Sequence, residues 1–327
     1  MTAPSGTGQT PSEFAGSAPT VMHGDGEIFL RGMAMGAADL VPGVSGGTIA
    51  LITGIYARLV QAISRCDMTA LGLLMTRQWG PFWQRIDGRF LLVLVAGIGS
   101  SVVLLARLIR DLMLTQPLPL WSFFFGLVLA SVLLLRVSSS GSWHNWILAA
   151  LGCLLASSLA IMPPSDVLSG YIGLFLGGAI AICAMILPGI SGSFLLLLMG
   201  LYPTVINAVS EFDGAILGVF AAGCVVGLLA FSRFLNWLLS RYYDQTLSVL
   251  RGFLLGSLLA LWPWQHTLVS LLDRHGNERV LQRQPVLPQT FAAEGGDPQV
   301  LLCVIAALVG GVFVLLMSRL RSRRAAI

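Results

Sequence analysis

Two hexapeptides, PGVSGG at residues 42–47 and PGISGS at 188–193, write the same polar, glycine-rich chemistry twice inside long apolar stretches. In each, a serine (Ser45 or Ser191) stands where a helix N-cap belongs, just ahead of an apolar run, TIALITGIY or FLLLLMGLY. A helix that starts there offers unpaired backbone N–H groups and the positive end of its dipole. Hydroxyls of Ser45, Thr48, Ser191 and Ser193 and close backbone approach at Gly46, Gly47 and Gly192 complete a setting that suits an anion such as a phosphate. The plainer reading is that small residues allow close helix packing while the serines cap a broken helix. Two copies, each with a Pro-Gly break, favour the anion.

Charged residues in the first stretch sharpen this expectation. Arg31 and Asp39 are eight residues apart, about two turns, so one helix face would carry both. Ionisable groups at membrane depth are costly and commonly line a pathway. Asp39, three residues before Pro42, is therefore the expected coupling group; its alternative is a structural carboxylate neutralised by Arg31 or capping backbone N–H groups. The second copy has Met185 at this position, so coupling through Asp39 would be asymmetric. Glu211 and Asp213 are expected in a solvated external loop.

Other chemistries fit poorly. All 19 basic residues are Arg, which removes the Walker A loop and any lysine nucleophile. The five cysteines are widely separated and no two of the four histidines have ligand spacing. Neither a disulfide framework nor a metal site is expected, and no cofactor. The net charge of +4 comes from arginines in short loops between apolar segments, which argues for bilayer orientation and against nucleic acid.

These residues must be positioned by an integral membrane protein, since 56% of the 327 residues are hydrophobic, 10% are charged and the mean hydropathy is +0.83. Crossing the hydrocarbon core takes about 20 apolar residues, and six segments qualify: 90–109, 118–135, 143–162, 214–235, 247–264 and 300–318. Residues 28–63 and 171–209 are too long for one span and are broken near their middle by the hexapeptides. Each is expected to be a re-entrant hairpin of two half-helices joined at an elbow. Backbone without helical partners is not tolerated against lipid, so the elbows must be buried or line a wet cavity. The segment 66–89, with Trp79, Phe82 and Trp83, reads as an interfacial helix. Residues 1–27 read as a disordered cytoplasmic tail, 265–299 as an external loop, and 319–327 as a basic cytoplasmic tail.

Sliding the chain by 146 residues superposes Gly32 on Gly178, Pro42 on Pro188, Ser45 on Ser191, Gly46 on Gly192, Gly54 on Gly200 and Tyr56 on Tyr202. With shorter shifts AGIGSSVVLLAR (96–107) resembles AGCVVGLLAFSR (222–233), and FFFGLVLAS (123–131) resembles FLLGSLLAL (253–261). The fold class expected is thus an all-α polytopic membrane protein built as two repeats, 28–162 and 163–318, each one hairpin plus three spans. Three is odd, so the second repeat is inverted, the architecture of alternating-access transporters whose broken helices meet near the midplane. With both termini cytoplasmic, 14 arginines fall inside and five (Arg107, Arg110, Arg274, Arg279, Arg283) outside.

The strings RGMAMGAADLVPGVSGGTIALITGIY, LPGISGSFLLLLMGLY and RGFLLGSLLALWPW closely resemble the polyprenyl-phosphate transporter family of bacteria and archaea, the PopT-type undecaprenyl-phosphate translocases, over about residues 28–320. The resemblance implies a multi-pass protein of the bacterial cytoplasmic membrane that returns undecaprenyl phosphate from the outer to the inner leaflet, recycling the lipid carrier of peptidoglycan and other envelope polymers. One position departs from the family pattern: where a Glu often follows Gly-Ile-Tyr, this chain has Ala57 before Arg58. The partners expected are the polyprenyl phosphate lipid and the bilayer, with a homo-oligomer left open. The competing readings are a carrier of a small soluble anion and a membrane lipid phosphatase; the latter needs a histidine or metal beside the elbows, and no histidine lies near either.

Overall fold

The computed structural model describes residues 24–41, 44–135, 143–163, 168–272 and 278–324, so most of the expected amino-terminal tail and the Pro42–Gly43 pair lie outside the described residues. Helix α1 (Asp25–Asp39) opens with Asp25 and Glu27 in its first turn, favourable charges at the positive end of the dipole. It is followed by α2 (Gly46–Ile52) and α3 (Tyr56–Ser64). The first hairpin therefore has three helices rather than two, because the chain breaks a second time between α2 and α3 with a bend of 117°. Gly54 causes it: its φ of 78° is left-handed, and the Ile55 N–H closes the turn on the Ala50 carbonyl at 3.0 Å.

The second hairpin repeats this build. Helix α9 (Gly170–Ile186) ends where Leu187 turns extended (ψ 129°), as the residue before Pro188 must. Helices α10 (Gly192–Leu198) and α11 (Tyr202–Glu211) follow, bent by 110° at Gly200, where the Leu201 N–H reaches the Leu196 carbonyl at 3.0 Å.

The segment expected as one interfacial helix is two, α4 (Met68–Met75) and α5 (Trp79–Arg85), separated by a left-handed Arg77. Arg85 pins α5 to the N-cap of α4 by a bidentate pair with Asp67 (2.5 and 3.2 Å), which holds the Asp67 carboxyl down at about 2. Among the described residues four helices are long and apolar enough to cross a membrane: α6 (Gly88–Thr115), α7 (Pro117–Leu134), α8 (Trp143–Ile161) and α12 (Gly214–Arg241). Large apolar side chains point outward along them and their neighbours, for example Val103 (80% exposed) and Ile172 (78%). Such a surface suits lipid. The chain is a multi-pass membrane protein.

Helix α13 (Tyr243–Ser257) is shorter than the expected 247–264 span and begins earlier; residues 258–261 continue as turns. Arg251, inside the expected span and among the arginines counted on the cytoplasmic side, lies eight residues into this helix. The connection 265–299 is not a plain loop, since β1 (Gln265–Leu272) and β2 (Glu278–Pro285) pair antiparallel, with Gln265 opposite Pro285, ahead of α14 (Pro288–Ala293). This hairpin is the one departure from all-α among the described residues. Trp262 donates from Nε1 to the Val286 carbonyl (2.8 Å) and Trp264 to that of Pro298 (2.9 Å), anchoring the segment to the helices. Helix α15 (Val300–Arg324) closes the chain and carries the basic 319–324 segment within it.

The helices associate in four main pairs, α1 with α6, α9 with α12, α8 with α13 and α7 with α15. All four pairs run parallel. Residue numbers rise together across each contact: a Cβ on Gly36 would meet the Ile98 carbonyl at 2.7 Å, one on Gly152 the Val249 carbonyl at 2.5 Å and one on Gly256 the Cys153 carbonyl at 2.5 Å. Small residues at these crossings let backbones touch, which is how helices associate where water supplies no driving force. The tip of the first hairpin forms the centre of the core, with Ala50 and Val60 fully buried and Ile55 1% exposed.

Candidate functional site

The two elbows meet. Ser45 is 2% exposed; its hydroxyl accepts from the Gly47 N–H (3.1 Å), so it caps α2 as expected, and donates to the Met185 carbonyl of the second hairpin (3.1 Å). The Thr48 hydroxyl accepts from the Gly189 N–H at 3.0 Å. Gly47 sits so close to the second elbow that a Cβ would lie 2.7 Å from the Ile186 carbonyl. Gly189 in turn (φ 86°) abuts the Phe253 carbonyl and the Ser257 hydroxyl on α13. The first copy's hydroxyls thus satisfy backbone groups that the break in the second leaves without helical partners.

Asp39 adds a third element. Its Oδ1 accepts from the Gly46 N–H at 2.6 Å, although the residue as a whole is exposed. A carboxylate on the first amide of a helix is favourable for both dipole and hydrogen bond. The first turn of α2 is therefore served by the protein itself: Asp39 holds Gly46 and Ser45 holds Gly47. Arg31 lies on the same helix, half-buried.

The second elbow differs. Ser191 makes no cap to α10; its hydroxyl bonds instead to that of Ser193 at 2.9 Å. Ser191 is half-buried and Ser193 exposed, whereas Ser45, Gly46, Gly47, Thr48 and Gly192 are buried. A Cβ on Gly192 would meet the Ala181 carbonyl at 2.5 Å, so this glycine serves packing of α10 on α9. Asp213, expected to be solvated, caps α12 through the Ala215 and Ile216 N–H groups.

The structure therefore brings Ser45, Gly47 and Thr48 to one junction with residues 185–189 and leaves Asp39, Ser191 and Ser193 as the reachable polar groups beside it. Sequence spacing could not show that Met185 and Gly189 would supply the partners, because their contribution is backbone. Helix α3 is held by Arg58, which forms a bidentate pair with Asp87 at the start of α6 (2.6 and 3.1 Å) and stacks on Phe90.

Comparison with known proteins decides the family. Residues 35–279 match the model described as undecaprenyl phosphate translocase-like. The chain belongs to that family. A polyprenyl-phosphate transporter of Vibrio cholerae serotype O1 is 43% identical over 291 residues, 88% of this chain and 94% of the relative. A polyprenyl-phosphate transporter of Staphylococcus aureus is 34% identical over 253 residues, 72% and 85% of the two chains. No solved structure matches significantly. The family is one of transporters, and the protein is a transporter rather than an enzyme.

Proposed function

We propose that this protein carries undecaprenyl phosphate, or a polyprenyl phosphate of another length, from the outer to the inner leaflet of the bacterial cytoplasmic membrane, recycling the carrier for envelope synthesis. The substrate follows from relatives that bear the name polyprenyl-phosphate transporter over most of both chains. The observation that carries the mechanism is the mutual bonding of the two elbows, Ser45 to Met185 and Thr48 to Gly189. A site assembled from two broken helices can open to either side by moving one hairpin against the other.

Inverted repeats are supported by the helix pairing. Exchanging α1, α6, α7 and α8 for α9, α12, α13 and α15 turns the α1–α6 pair into α9–α12 and the α7–α15 pair into α13–α8, so the pairing pattern is unchanged by the exchange. The arginine distribution supports cytoplasmic termini. In this reading the phosphate enters beside the junction, where the Ser191 and Ser193 hydroxyls are accessible, while Arg31 balances its charge and the prenyl tail stays among lipid. Asp39 serves as coupling group. Its carboxylate already occupies the first amide of α2, so protonation would weaken that hold and free the elbow to move.

The test is binding by the purified protein in nanodiscs of polyprenyl phosphate, polyprenol and inorganic phosphate. A lipid-phosphate carrier binds the first far better than the others. Tighter binding of inorganic phosphate would assign a soluble-anion carrier instead.

A further inference from the structure

Arg251 stands in α13, eight residues beyond its first residue Tyr243, about 12 Å along the axis. The guanidinium lies 5.9 Å from the ring of Trp146 on α8. Its Nε is buried and has no hydrogen-bond partner among the described residues. A permanent charge inside a membrane helix is expensive and marks a functional position unless something neutralises it.

What lies along the helix from Arg251 is apolar. Leu255 and Leu258 follow at i+4 and i+7, on the same face. Both line a cavity of about 460 Å³ where α7, α8 and the end of α13 meet the 265–299 connection, together with Ser157, Trp262, Val286 and Leu287. On α8, Trp146 and Ser157 are eleven residues apart, about three turns, and so also share a face. Because α8 and α13 run parallel, Arg251 with Trp146 marks one end of a groove along this pair, and Ser157 with Leu258 marks the other.

We propose that the α8–α13 groove is a docking site for polyprenyl phosphate, with the phosphate on Arg251 and the first part of the prenyl chain in the cavity lined by Leu255, Leu258 and Trp262. The inference rests on the substrate proposed above. Charge complementarity chooses the occupant: one buried cation at one end, apolar walls beyond, in an order that fits an amphiphile with an anionic head. On the proposed topology Arg251 lies on the cytoplasmic side of Leu255, Leu258 and Trp262, so the occupant has its head on the inner-leaflet side of its tail. The second elbow touches the same helix at Phe253 and Ser257, which makes the groove the place where lipid waits after leaving the junction.

The experiment measures undecaprenyl phosphate binding to the full chain in nanodiscs, with undecaprenol, phosphatidylglycerol and geranyl phosphate as further probes. Arg251→Gln removes one charge-assisted contact and lowers affinity for undecaprenyl phosphate roughly ten- to hundred-fold, with no change for undecaprenol. Arg251→Lys recovers part of the loss, because the charge returns without the guanidinium fork. Leu258→Trp fills the cavity and weakens undecaprenyl phosphate and geranyl phosphate alike, which keeps the inference testable where Arg251→Gln does not fold. Wild-type affinity in both Arg251→Gln and Leu258→Trp overturns the groove while the proposed substrate stands. Equal competition by phosphatidylglycerol overturns it in favour of a bulk-lipid contact. Failure of the wild type to bind undecaprenyl phosphate overturns the substrate itself, and the groove with it.

Discussion

Replacing Ser45 by Ala should damage the protein far more than replacing Ser191, although the two serines occupy equivalent places in the repeat. The Ser45 hydroxyl is buried and makes two bonds, one from Gly47 N and one to the Met185 carbonyl. Removing the cap costs about 1 kcal/mol, and leaving a buried carbonyl without its partner costs about 1–3 kcal/mol, so Ser45→Ala should lose roughly 2–4 kcal/mol. Thr48→Val keeps the shape and strands the Gly189 N–H, which is worth about 1–3 kcal/mol by the same reasoning. Ser191 bonds only to the accessible Ser193 hydroxyl, and its loss should cost under about 1 kcal/mol of stability. Equilibrium unfolding in mixed micelles, followed by tryptophan fluorescence, reads these differences. The Ser45→Ala and Thr48→Val pair should be less than additive, since both open one junction. Equal, small effects at Ser45 and Ser191 would refute the crossing elbows.

Further outcomes follow from the same geometry. Gly47→Ala should push the elbows apart, because the new methyl meets backbone at Ile186, and should abolish transport more completely than Gly46→Ala, whose methyl meets only the movable Asp39 carboxylate; transport assays on the two variants check this. Asp39→Asn should end gradient-driven movement while polyprenyl-phosphate binding persists, whereas unchanged pH dependence would leave Asp39 a structural cap. The Asp67 carboxyl is held at about 2, below its ordinary 3.8. Its contribution to stability is therefore present above about pH 4 and is lost as pH falls toward 2. The stability difference between wild type and Asp67→Asn should thus be flat from neutral pH to about 4 and shrink below it. In a cysteine-free background, single cysteines at Thr76 and Ala293, both exposed, should react with membrane-impermeant reagents from the cytoplasmic and the external side respectively; labelling of both from one side refutes the proposed topology.

Much of this was legible in the sequence because it is written in periodicity and punctuation. Spans near 88–115, 117–134 and 143–161 follow from apolar length, and the elbows from Pro-Gly pairs in a repeat. The second break was also available in Gly54 and Gly200, which the repeat superposed, but a lone glycine in an apolar run does not distinguish a tight C-cap from close packing. Ser45 and Ser191 looked equivalent, yet only Ser45 caps its helix, since Asp39 and Met185 differ in what they place beside each start. The depth of Arg251 in its helix is not legible from the sequence, because the single-residue turn at Tyr242 leaves no polar stretch to mark where α13 begins. The β1–β2 hairpin went unread because its strands sit in a polar connection without strong alternation.

The central claim is transbilayer movement of a lipid phosphate, and proteoliposomes with a fluorescent polyprenyl phosphate in both leaflets test it most directly. A membrane-impermeant quencher added outside reports how fast the inner-leaflet pool becomes reachable. The account predicts rapid exchange of the phosphate lipid in liposomes holding wild-type protein, little exchange with Gly47→Ala, and none of the labelled polyprenol beyond the protein-free rate. Exchange of polyprenyl phosphate no faster than in protein-free liposomes would contradict it.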